Sequence, residues 1–164
     1  MLSLEQILIG GAGLSLAIGV VILASLITNP RMWLNDYPES VQKLAAPLSP
    51  AEKRQRIFFM VPYLLAFLGV SLLSTVAFLS ASADATFLTA YGHAFLVLNI
   101  ANLFDAVVID WLFLYVMKPR FAIIPEAWGR LDTMNISWEV RNYFKVIIFC
   151  AVLAVPVALV ATLL

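Results

Sequence analysis

Tyr91, His93, Asn99, Asn102, Asp105 and Asp110 interrupt one apolar run, residues 87–117, and are the first candidates for chemistry. A carboxyl group among hydrocarbon costs about 2.5–3.5 kcal/mol at the centre of a membrane helix, so it normally faces protein or water and has a partner. On an α-helix with Asn102 at zero, Asn99 falls at about +60°, Asp105 at about −60° and Asp110 at about +80°. The four share an arc of about 140°, the pattern of a stripe turned toward a helix bundle. His93 points the opposite way and reads as a side chain at the outer boundary rather than as a ligand or acid–base group. Counted inward from Lys118, Asp110 lies at about 12 Å and Asp105 at about 19 Å. Counted from Ile57, Ser71 and Ser74 reach about 21 Å and about 25 Å, and Ser15 reaches about 20 Å in the first run. Asp105, Asn102, Asn99, Asp110, Ser71 and Ser74 are therefore the candidate binding residues. They form either a proton- or cation-binding cluster or an interhelical hydrogen-bond network. No lysine or arginine lies at the depth of Asp105, so the expected state is a neutral acid bonded to Asn102, Ser71, Ser74 or Ser15.

Other chemistries lack residues. One cysteine, Cys150, excludes a disulfide framework. Together with the single histidine it cannot complete a four-ligand zinc site. With no bis-histidine pair, no CxxC and no glycine-rich phosphate loop, the sequence calls for no cofactor and no metal, and it identifies no catalytic residue. Formal net charge is zero, which argues against nucleic acid as a partner.

The elements that position these residues follow from apolar length. The chain has 164 residues, 63% apolar and 12% charged, too apolar for water to be the only solvent around it. Four stretches, about 7–28, 50–79, 87–117 and 144–164, reach the length of about 20 residues that crosses a bilayer. The expected fold is an all-α, single-domain, antiparallel four-helix membrane bundle in up-down-up-down order, with the second and third helices sharing the largest contact. The first stretch reads as a retained helix rather than a leader, because its start carries Glu5 and no basic residue. All ten basic residues fall in or at the edges of the loops 29–49 and 118–143. The positive-inside bias then puts both loops in the cytoplasm and both termini outside. That sidedness discounts the Asn135-Ile-Ser137 sequon.

Gly11, Ser15 and Gly19 place a small residue at every fourth position of the first helix, a face for close packing within one protomer or between copies. Ala151, Ala154, Ala158 and Ala161 do the same in the last. Ser49-Pro50-Ala51-Glu52 predicts a capped helix start, and Pro62 a kink soon after. Trp33, Tyr37, Trp128 and Trp138 are expected at the membrane–water boundary, with Phe121–Pro125 lying along it. The connection at 80–85, which includes Asp84, is short.

The run Asn29-Pro-Arg31-Met-Trp33-Leu-Asn35-Asp36-Tyr37-Pro38, the Arg54-Gln55-Arg56 entry, Asn102-Leu-Phe-Asp105, Asp110-Trp111 and Pro119-Arg120-Phe121 together resemble a family of small, uncharacterised bacterial membrane proteins with four helices. The resemblance covers roughly residues 29–126. It implies a location in the bacterial cytoplasmic membrane and transfers no functional residue. The sequence favours a non-catalytic oligomeric or accessory membrane module, whose partners are membrane lipid and a further copy or another membrane protein. A small oligomeric transporter or proton/ion pathway using the polar stripe is the alternative. A lipid-modifying enzyme using Asp110 with Arg120 or Lys118 is the third reading.

Overall fold

Apolar length decides the architecture first. The computed structural model describes residues 2–37, 39–82, 86–128 and 136–164, the last stretch with side chains from Val140 onward, and every regular element among them is helical. Four helices are long and apolar enough to cross a membrane. Helix 1 is Leu4–Thr28, helix 2 Pro50–Ser80, helix 3 Phe87–Met117 and helix 4 Ile136–Leu163. The connection through Asp84, the Asn135 sequon, Arg130 and the Trp138 ring lie outside the described residues. Helix 4 begins at Ile136 rather than near Phe144, because polar residues such as Arg141 and Asn142 interrupt an apolar run without interrupting backbone hydrogen bonding.

The caps follow the local sequence. Ser49 Oγ accepts from the Glu52 amide at 3.2 Å, and Glu52 accepts from the Ser49 amide at 2.7 Å, a reciprocal box that satisfies two otherwise orphaned donors. Thr86 and Thr89 start helix 3 in the same way. Helix 3 then changes character. It is α-helical over Phe87–Phe104 and π-helical over Asp105–Met117, and it ends at Lys118, whose φ of 47° lies in the left-handed region. Pro119 prevents continuation.

The helices pack in an order that alternation does not predict. Helices 3 and 4, 1 and 2, and 1 and 3 share the most extensive contacts. Helices 2 and 3 share a smaller one, which overturns the expectation that theirs would be the largest. The reason lies in the small faces. Gly10 and Gly11 bring helix 1 so close that an added Cβ would stand 2.1 Å from Ser74 Oγ of helix 2 or 2.6 Å from Ile100 of helix 3. At Gly19 the neighbour is Phe104, at 3.2 Å. Gly11, Ser15 and Gly19 are all buried, as are Ala154, Ala158 and Ala161 on helix 4. These stripes are therefore occupied inside the protomer. Leu14, Ile18, Phe67, Val97, Leu98 and Cys150 fill the space between them.

A second, smaller core lies in the loops. A 3-10 helix over Pro30–Asp36 is started by Asn29, whose side chain accepts from the Arg31 amide, and a short helix follows over Glu39–Gln42. Leu34, Tyr37, Val41 and Leu48 of this segment pack on Ile123, Ile124 and Ala127. Within the 121–125 stretch, Ala122, Ile123 and Ile124 are buried, while Phe121 and Pro125 are exposed. Arg31 ties the layer together. Its Nε donates to Glu52 at 2.7 Å, Nη1 to Glu126 at 2.6 Å and Nη2 to the Ala46 carbonyl at 2.8 Å.

Candidate functional site

The change from α to π geometry has a direct consequence for the two carboxylates. In an α-helix, residues five apart stand about 140° apart around the axis. A π-helix closes its hydrogen bonds from i to i+5, so its wider turn brings those positions toward one face. Asp105 opens the π segment and Asp110 lies one hydrogen-bonded step further on. Both line one cavity of about 290 Å³.

Every long helix and both described loop segments contribute walls to that cavity. Helix 1 supplies Ile22 and Leu26, helix 2 Tyr63, helix 3 Ile109 and Leu114 beside the two acids, and helix 4 Asn142 and Val146. The loops supply Trp33, Asp36, Tyr37 and Ile123. Trp33 is held by donating from Nε1 to Ser25 Oγ at 2.8 Å, which fixes the loop ring against helix 1. Tyr37 is buried, and burial pushes its phenol up to about 12; a backbone hydrogen bond from Ile124 opposes the rise and the charge of Asp110 adds to it. Asp36 is half exposed; partial desolvation among its neighbours raises its carboxyl above the usual range, and Arg56, 3.5 Å away, pulls it back. Among the described residues lining the cavity there are three carboxylates, three aromatic rings and no basic side chain.

The other predicted site residues lie elsewhere. Ser71 gives its hydroxyl proton to the Leu68 carbonyl, and Ser15 gives its own to Gly11. Asn99 Nδ2 donates to the Phe95 carbonyl at 2.7 Å. Asn102 is buried with Nδ2 unpartnered. Ser74 Oγ lies 3.0 Å from His93 Nε2. The hydroxyls of Ser15 and Ser71 are therefore engaged with backbone carbonyls and Ser74 with His93, while Asn102 Nδ2 makes no hydrogen bond. His93 corrects a second expectation: it is fully buried and stacked on Phe78, with ring centroids 4.6 Å apart. Helix 3 packs on all three other helices, so a side chain opposite the stripe still meets protein.

Trp33, Asp36, Tyr37, Tyr63 and Asn142 are the cavity residues that the stripe argument missed. A depth count reaches one of them, since Tyr63 lies about 9 Å along from Ile57, near the level of Asp110. Nothing in periodicity shows that a loop folds back over a helix end. Arg120 lies over the Trp128 ring, 5.3 Å from its centroid, and Lys118 over Tyr115, and neither basic residue lines the cavity. No group of three or more His, Cys, Asp or Glu among the described residues is arranged to hold a metal ion. No family model, curated protein or solved structure matches the chain.

Proposed function

We propose that the chain spans a bacterial cytoplasmic membrane four times as an antiparallel bundle, with its basic loops inside and both termini outside, and that it binds an organic ammonium ion in the cavity that Asp105 and Asp110 share. The convergence of these two acids through the π turn is the observation that carries the reading. Carboxylates supply charge, while Trp33, Tyr37 and Tyr63 supply ring faces, which attract desolvated cations by roughly 2 kcal/mol or more. The apolar remainder of the wall suits an organic cation better than a hydrated metal ion. The bundle fits the transporter or ion-pathway reading more closely than the oligomeric-module reading, because the small faces that motivated oligomerisation are filled within one protomer. The enzyme reading paired Asp110 with Arg120 or Lys118, and neither basic residue lines the cavity.

Choline titrated into the purified full-length chain in non-ionic detergent tests this. Saturable binding is expected, weakened about tenfold or more by Asp105→Asn with Asp110→Asn, as for the loss of a charge-assisted contact. Affinity indifferent to both substitutions overturns the reading.

A further inference from the structure

A second pocket, of about 530 Å³, adjoins the first and shares Asp36, Tyr37 and Asn142 with it. Its character is opposite. Asn35, Glu39, Gln42, Arg141 and Lys145 complete a predominantly polar lining. Arg141 and Lys145 stand four residues apart on helix 4, and therefore on neighbouring positions of one face.

The lining holds two acids and two bases, and each acid lies nearest a cation from outside the lining: Glu39 at 3.4 Å from Lys43 in an exposed pair, and Asp36 at 3.5 Å from Arg56. Gln42 Nε2 donates to the carbonyls of Asn35 and Tyr37, so it serves the loop. Arg141 and Lys145 make no ion pair among the described residues. Two cations facing a polar space, joined to an acidic and aromatic cavity, form a site with separated charges.

We propose that the adjoining pocket seats a phosphate group against Arg141 and Lys145, so that the ligand is a zwitterion carrying an ammonium and a phosphate. The planar guanidinium of Arg141 takes phosphate oxygens in pairs, and Lys145 adds a point charge beside it. This rests on the ammonium reading of the first cavity and assigns the other half of the ligand. The same chemistry belongs to a free phosphorylated amine and to the headgroup of a zwitterionic lipid.

The test compares choline with phosphocholine on the full-length chain in non-ionic detergent, at fixed ionic strength. The wild-type chain is expected to bind phosphocholine about tenfold more tightly than choline, the scale of one charge-assisted bond. That ratio is expected to fall to about one in Arg141→Gln with Lys145→Gln, whose parent side chains are exposed and not part of the core. Choline binding with no phosphocholine preference overturns the zwitterion and leaves the cavity reading standing. A preference that survives the double substitution also overturns it. Absence of binding by either probe overturns both. Lysophosphatidylcholine at fixed micelle concentration separates the sources: tighter binding than phosphocholine supports a lipid headgroup, and equal binding supports a soluble phosphorylated amine.

Discussion

Replacing Arg31 with Ala removes the side chain that joins three segments of the loop layer. The guanidinium makes bonds of 2.7 Å to Glu52, 2.6 Å to Glu126 and 2.8 Å to the Ala46 carbonyl. The three charged side chains are only 20%, 17% and 27% exposed, which places them between surface and interior. Exposed pairs contribute about 0–1 kcal/mol, while breaking a buried pair costs about 3–5 kcal/mol. Two half-buried pairs broken at once should cost about 2–3 kcal/mol. Glu126 makes the loss worse, since its Oε2 is already buried without a partner and Oε1 would lose its own. The Glu52 bond is also the main reason the guanidinium is held even further above its usual value, so the pair stays charged across the accessible pH range. Unfolding in detergent followed by circular dichroism measures the change. Lys43→Ala, which removes a pair 77% and 86% exposed, is the internal control and should cost less than about 0.5 kcal/mol. Arg31→Lys keeps the charge but not the fork and should fall between the two. If Arg31→Ala proves as mild as Lys43→Ala, the loop layer is not held by this residue.

Three further outcomes are expected. Gly11→Leu should destabilise by about 1–3 kcal/mol because its Cβ meets Ile100, whereas Gly13→Leu, with nothing within 4 Å, should be neutral in the same melts. Tyr37 is neutral and buried with its phenol raised from about 10 to about 12, so the unfolded chain loses that proton first. Tyr37 should contribute about 2–3 kcal/mol of stability that is present below about pH 10 and lost as the pH rises through 12, and Tyr37→Phe should reduce the alkaline loss by that amount. For sidedness, a membrane-impermeant thiol reagent should modify Ser82→Cys in intact cells and Ala46→Cys only after permeabilisation, each in a Cys150→Ser background; the reverse pattern would invert the topology.

The helices and their caps were legible because they depend on local chemistry: apolar length for helices 1 to 3, and Ser49 with Glu52 for the capping box. Asp105 and Asp110 were legible as polar residues in an apolar run. Their relation was not, since 100° per residue holds only while hydrogen bonds run from i to i+4. Asp36, Tyr37 and Trp33 were hidden for another reason. Where a loop folds depends on long-range packing against Ile123 and Ser25, and no periodicity in the loop encodes those contacts. His93 was misplaced because a one-face argument fails for a helix that packs on three neighbours.

The central claim is that a cation occupies the cavity walled by Asp105, Asp110 and the three rings, and Trp33 reports on it directly. A variant carrying Trp111→Phe, Trp128→Phe and Trp138→Phe keeps this indole as the only tryptophan of four. Titration with choline should then change the Trp33 emission saturably, and Asp105→Asn with Asp110→Asn should abolish the change. A flat titration, or a saturable change that persists without the two acids, would contradict the account.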